Sequence, residues 1–315
     1  MNVRNLRSSI LSIPPICFGG NVLGWTVDEN SSFEILDHLY NGGIKFIDTA
    51  DIYSNWAPGN KGGESEKIIG NWMAARKNRS DMMIATKVGG QVTRTEKGLS
   101  RDYIYTAVER SLKRLKTDYI DVYQSHYDDN ETPIHETLEA YERLIRDGKV
   151  RVIGASNFEV DRLKATLSIS KRHDLPFYHL VQLKYNLFDR KDFENNMAPF
   201  CLKHSISSMC YRGLADGFLS GKYKSQADII NTPRAEALKH YCTKRGFKIV
   251  KVLLSLSKGR NVSAAQVALA WLISKTAVTC VVASATSVEQ AEDLIAAGAL
   301  QLSKEELLEL DNISK

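Results

Sequence analysis

The sequence has no uninterrupted apolar stretch near the roughly eighteen residues that a helical membrane span requires, which excludes a transmembrane reading. It has no C-x-x-C. Its five cysteines, Cys17, Cys201, Cys210, Cys242 and Cys280, are odd in number and widely spaced. That excludes a disulfide framework or a zinc site and points to reduced thiols in a cytoplasmic protein. Charge of one sign is scarce: 42 Lys and Arg stand against 37 Asp and Glu, for a net +5. Such a balance lacks the concentrated footprint of a nucleic-acid binder. No G-x-G-x-x-G marks a strand-to-helix turn, and GGNVLG (19–24) lacks the Lys-Ser/Thr of a P-loop. The N-terminal apolar run is broken by Pro14 and Pro15, so no secretory leader is expected. No linker, low-complexity tract or strong repeat divides the chain. One domain over residues 1–315 is the economical reading.

What is present alternates. Runs with strand character lie at 16–20, 45–50, 82–88, 119–126, 150–156, 180–186, 206–212 and 279–284. Most are apolar on both faces, as suits a parallel sheet covered by helices. Helical patterns fill 31–43 (opened by a serine cap), 63–77, 100–115 (Ser100 as cap) and 132–149. The last has Thr132 as cap, Pro133 at the first helical position and Gly148 as its end. Others span 160–170, 192–204, 264–275 and 287–299, and 303–310 opens on a Ser303/Glu306 capping box. Repeated strand–helix units imply right-handed crossovers, and eight of them favour a closed (β/α)8 TIM barrel over an open sheet. Extended loops follow the second strand (54–63) and the seventh (213–246). The basic stretch 239–260 reads as a solvated helix with an ordinary core-facing stripe.

In such a barrel, chemistry gathers at the strand C-termini. There the second strand delivers Asp48, the third Lys87 and the fourth His126, with Tyr53 on the intervening loop. A tyrosine, whose ordinary pKa is about 10, needs help to exchange protons near neutrality. A neighbouring ammonium is expected to lower it, and a buried ammonium needs a carboxylate. A histidine can orient a carbonyl oxygen. Each residue alone has a bland structural explanation; together they form a coherent proton-transfer set.

The motifs IDTADIYS (47–54), ATKV (85–88), YIDVYQSH (119–126), GKVRVIGASNF (148–158), VQLKYNLFDR (181–190), GFLSGKY (217–223) and SAAQVALAW (263–271) resemble the aldo-keto reductase superfamily, in family order and over most of the chain. The resemblance implies that Asp48, Tyr53, Lys87 and His126 form a catalytic tetrad for reversible reduction of an aldehyde or ketone by a nicotinamide cofactor. It implies that Ser156, Asn157 and Gln182 hold the carboxamide, that Tyr211 stacks on the nicotinamide, and that Arg212, Gly213, Leu214 and Lys222 wrap the pyrophosphate. Gly20, Asn21, Asp48 and Ser284 complete the expected cofactor contacts. At the adenosine end Thr286, Asp293 and Leu294 depart from the common family pattern. Thr286, Gln290 and Arg234 are expected to take over there, with Asp293 as a further contact in place of the usual glutamate, which favours NADP over NAD. No metal is expected. The substrate is expected to be a small carbonyl compound or alcohol, met by Trp25, Tyr53, Trp56, His126 and the 91–99 loop. The superfamily also contains potassium-channel β-subunit-like proteins that bind NADP and act as regulators, so a regulatory subunit is carried as the competing reading. A lyase or isomerase using Lys87 as a Schiff-base amine is a third, opposed by Asp48. Oligomeric state is not readable from the sequence.

Overall fold

The computed structural model describes residues 3–7, 9, 11–230, 232 and 235–315. Eight parallel strands close into a barrel: β3 (Ile16–Gly19), β4 (Phe46–Asp48), β5 (Met83–Val88), β6 (Ile120–Ser125), β7 (Val150–Ser156), β8 (Leu180–Lys184), β9 (Ser207–Tyr211) and β10 (Cys280–Ala283). They are arranged in chain order, with β10 pairing β3 to complete the ring. The expected barrel is therefore present, with strand ends moved by up to two residues.

The helices are α1 (Glu29–Asn41), α2 (Glu64–Arg76), α3 (Arg101–Leu115), α4 (Ile134–Arg146), α5 (Val160–His173), α6 (Ala198–Lys203), α7 (Ala235–Lys239), α8 (Lys244–Arg260), α9 (Ala264–Ser274), α10 (Val288–Ala297) and α11 (Lys304–Ile313). Two caps differ from expectation. Asp28, not a serine, caps α1 by accepting from the Ser31 N–H at 2.8 Å. Pro133 sits one place before α4, while the Thr132 hydroxyl donates to Asp129 at 2.6 Å. The Ser303/Glu306 capping box forms as expected. Helix α8 buries Ile249, Val250 and Leu253 and exposes its lysines, the solvated-helix reading of the basic stretch.

Inside the barrel the alternation of side chains builds layers. Phe46, Val122, Leu180 and Cys280, then Cys17, Ala85, Val152 and Met209, fill the N-terminal half. Neighbours such as Ile47, Tyr123 and Val181 face outward into the helix-covered core. Two places further along the even-numbered strands, the same inward face presents Asp48, Gln124, Gln182 and Val282. Four side chains from alternate strands is the usual layer of such a barrel. The sequence reading missed helix α7, which lies within the segment expected as a loop over 213–246, and an antiparallel hairpin of β1 (Arg4–Asn5) and β2 (Ser12–Ile13). Its Leu6, Leu11 and Ile13 pack under the lowest layer and seal the N-terminal end. Among the described residues no helix is long and apolar enough to cross a membrane.

Candidate active site

Four reactive side chains meet at the C-terminal mouth. Asp48 ends β4, Lys87 is the penultimate residue of β5, and His126 follows β6. Tyr53 lies on a turn closed by its N–H on the Ala50 carbonyl at 3.2 Å. The loop beyond it is tied down by Ser54, which donates to the Leu23 carbonyl, and by Asn60, which donates to the Gly24 and Ser54 carbonyls. Lys87 is fully buried. Its Nζ donates to Asp48 Oδ2 at 2.7 Å, the Thr49 carbonyl at 2.8 Å and Tyr53 Oη at 2.9 Å. All three ammonium hydrogens are thereby engaged, leaving no lone pair for attack on a carbonyl. This geometry disfavours the Schiff-base alternative.

One electrostatic expectation is reversed. Burial, then the Asp48 carboxylate and Tyr127, push the phenol well above the ordinary tyrosine value, opposite to the direction in which an ammonium alone would move it. The reason is that Asp48 offsets the ammonium at nearly the same place, so desolvation of the phenolate decides the direction. The phenol therefore keeps its proton at neutrality. For His126, burial and then Lys87 hold the imidazole well below its ordinary value, so it is neutral. Its ring stands 5.9 Å from that of Tyr53 at 72°, and Tyr127 stacks on it at 4.5 Å and 10°. The His126 carbonyl accepts from Asn157 Nδ2 at 3.0 Å.

The residues expected to hold a carboxamide are linked to one another. Asn157, in the left-handed region at φ 59°, gives its other Nδ2 hydrogen bond to Ser156 Oγ at 3.1 Å. Its Oδ1 accepts from Tyr211 Oη at 2.7 Å, which sets the Tyr211 ring beside it. Gln182 donates from Nε2 to Asp48 Oδ1 at 2.9 Å, so its amide oxygen is the end left for a carboxamide N–H. Ser156 Oγ likewise retains its own hydrogen to give. This donor and acceptor set fits a primary amide.

The pyrophosphate segment is less uniform. Arg212, Ala215, Asp216, Gly217 and Gly221 all have positive φ, and such turns can form anion cradles. A Cβ on Gly217 would lie 3.5 Å from Lys222 Nζ, which sets a cation beside that backbone. Arg212, however, pairs with Asp216 at 3.2 Å. Gly213 packs so closely that a Cβ would come within 2.9 Å of Leu272. Leu214 is partly buried against the outer core.

At the first and last strand ends, Ser284 donates to Asn21 Oδ1 at 2.6 Å, and the Gly20 carbonyl accepts from Ser65 Oγ at 2.8 Å. Thr286 donates from both N–H and Oγ1 to Gln290 Oε1, at 3.0 and 3.2 Å. Asp293 accepts from Gln266 at 2.6 Å, which turns it toward α9. Arg234 lies outside the described residues. Among the described residues no group of three or more His, Cys, Asp and Glu side chains could hold a metal ion.

Trp25 and Trp56 are exposed and meet edge to face at 5.7 Å, and Trp56 in turn meets Tyr53 at 6.1 Å. Tyr127, exposed and stacked on His126, joins them and was not singled out from the sequence. Gln124 was also missed. Its Nε2 donates to Asp48 Oδ1 at 3.0 Å. The available signal was its place two residues before His126, on the inward parity of its strand. Of the 91–99 loop, Leu99 is anchored by its N–H on Asp129 at 2.7 Å.

The sequence profile of the Aldo/keto reductase family matches residues 15–315. An uncharacterized oxidoreductase, YrpG of Bacillus subtilis (strain 168), is 36% identical over 96% of this chain and 93% of its own length. A probable voltage-gated potassium channel subunit beta of Arabidopsis thaliana is 32% identical over 93% of this chain and 90% of its own. The aldo-keto reductase AMT2 of Alternaria alternata is 31% identical over 98% and 90%. With a profile matching nearly its whole length, on a barrel of the expected topology, this chain belongs to the aldo/keto reductase family.

Proposed function

We propose that this protein, read as one barrel domain, reduces an aldehyde or ketone to an alcohol, with NADP preferred over NAD and Tyr53 as proton donor. The observation that carries this reading is Tyr53 Oη held 2.9 Å from Lys87 Nζ, beside Asp48 and His126, at one strand-end mouth. A bound reduced nicotinamide would supply the hydride. Ser156, Asn157 and Gln182 would hold its carboxamide, Tyr211 its ring, and Gly213, Leu214 and Lys222 the pyrophosphate. Gly20, Asn21 and Ser284 would close the adjacent strand ends. Thr286, Gln290 and Arg234 would meet the adenosine end, where Thr286 is bonded to Gln290, and the NADP preference rests on the resemblance at these positions. Tyr53, neutral through burial, gives its proton to the carbonyl oxygen as charge develops there. Neutral His126 orients that oxygen by hydrogen bonding. Lys87 holds Tyr53 Oη from the other side, and Asp48 holds Lys87. Trp25 and Trp56 border the carbonyl substrate. Five free cysteines suit a reducing compartment, and we read the protein as cytoplasmic.

The test is a panel of aldehydes and ketones assayed with NADPH and NADH, on wild type and Tyr53→Phe. Tyr53→Phe is expected to lose about a hundredfold or more in kcat. Equal activity in both proteins defeats the mechanism. A kcat/KM at least about tenfold better with NADH, a difference of roughly 1.4 kcal/mol, defeats the NADP preference. The similarity to a channel β subunit supports the second reading, a cofactor-binding regulatory subunit. Tight NADPH binding without turnover on any carbonyl would select it.

A further inference from the structure

Asp48 carries more hydrogen bonds than pairing with Lys87 requires. Oδ2 accepts from Lys87 at 2.7 Å and faces Tyr53 Oη at 3.5 Å. Oδ1 accepts from two primary amides, Gln124 Nε2 at 3.0 Å and Gln182 Nε2 at 2.9 Å. A carboxylate only accepts, so both amides must turn their NH2 groups toward it, and their orientation is set by chemistry. All three side chains belong to the same inward layer, on β4, β6 and β8. Gln124 is fully buried, and among the described residues its Oε1 has no hydrogen-bond partner. A buried amide with one end unsatisfied is costly, so the bond at its other end has to be kept for a reason. The barrel also keeps space for it: Gly154 pairs with Gln124 in register, and a Cβ there would sit 3.0 Å from Gln124 Cγ and 3.1 Å from the Leu180 carbonyl.

We propose that Gln124 is a positioning residue for proton transfer, clamping Asp48 Oδ1 together with Gln182 so that Oδ2 alone faces Lys87 and Tyr53. The clamp fixes the rotation of the carboxylate about its Cβ–Cγ bond. Without it, Asp48 can turn and offer Lys87 either oxygen, and the ammonium loses its fixed distance to Tyr53 Oη. Gln182 is one of the residues proposed to hold the carboxamide, whereas Gln124 is not and is fully buried. A defect at Gln124 should therefore appear in the proton-transfer step and not in cofactor binding. The kinetic part of this inference rests on the reductase reading; the geometric part does not.

The experiment compares wild type with Gln124→Met, which keeps the volume but donates nothing, and Gln124→Glu, which donates only while protonated. For Gln124→Met the expected result is a kcat lowered by more than about threefold, with carbonyl KM and NADPH Kd each within about threefold of wild type. In crystal structures of wild type and this variant, the Asp48 carboxylate is expected to be rotated away from its wild-type position. For Gln124→Glu, kcat relative to wild type is expected to fall between about pH 6 and about pH 9, as the substituted proton is lost. A kcat within about threefold of wild type in Gln124→Met overturns the proposal, as does an unmoved Asp48. If Gln124→Met does not fold, the Gln124→Glu ratio decides, and a ratio flat with pH overturns it. If wild type turns over no carbonyl, the reductase reading fails and the position of Asp48 in the two structures decides this inference by itself.

Discussion

Asp51, two residues before Tyr53, is buried, and among the described residues neither of its carboxyl oxygens has a hydrogen-bond partner. Burial and then Glu66 push its carboxyl well above the ordinary value, against the pull of Arg114. The folded protein thus holds a proton that the unfolded chain releases above about pH 4, and stability is lost as pH rises from there toward the folded value. Asp51→Asn is expected to melt higher than wild type at neutral pH, with the gap closing near pH 4; a gap that does not shrink in acid argues against this. His126 works in the opposite direction. Its folded value is depressed, so its contribution is present above about pH 6.5 and lost as acid protonates the unfolded chain, by at most about 2 kcal/mol at pH 5. Melting curves of His126→Gln between pH 7 and 5 should be flatter than those of wild type. On the proposed mechanism, Tyr53 links protonation to direction of turnover. A phenol held above its ordinary value is available as an acid throughout the neutral range, whereas alcohol oxidation needs the phenolate. Reduction kcat should be level to about pH 9 while oxidation kcat still climbs, and a reduction rate that falls from pH 7 would contradict the assignment.

At the level of elements, helix α2 approaches α3 closely because Gly70 has no side chain. A Cβ there would collide with the Arg114 carbonyl oxygen and lie 2.7 Å from the Leu115 carbonyl carbon. Backbone cannot yield as a flexible side chain can. Gly70→Ala is expected to cost about 1–3 kcal/mol in denaturant unfolding. It should also disturb the Arg114–Glu66 pair at 2.6 Å, which in turn holds Thr86 of β5. The elements most legible in the sequence were the barrel strands, since burial on both faces writes a continuous apolar run. Their caps were less legible: Asp28 and a serine can each open α1, and the structure places Asp28 there. The hairpin of β1 and β2 was illegible because strands of two residues carry no period. Gln124 had the right parity, yet nothing local distinguishes a buried polar strand residue from one directed at Asp48.

For the whole molecule, the hairpin and the mouth lie at opposite ends of the barrel. Ile13 is fully buried beneath the interior layers. Ile13→Ala should lower unfolding free energy by about 2–5 kcal/mol while leaving kcat unchanged. A parallel loss of kcat at temperatures where the variant is folded would show that the two ends are coupled. The separation of stability from chemistry also explains the division of legibility. Alternating apolar runs and helix signals determined a parallel sheet covered by helices on both faces, and eight such units favoured the closed (β/α)8 barrel over an open sheet. Residue type at the strand ends, together with the family resemblance, singled out Asp48, Tyr53, Lys87 and His126, and the fold brings the four together. The tertiary structure alone decided the rest: that Asp48 splits its two oxygens between a cation and two amides, that Tyr53 is pushed up and not down, and that Thr286 and Gln290 bind each other. Those outcomes depend on distances between strands far apart in the chain, and on how much water is excluded between them, and neither is written in any one segment.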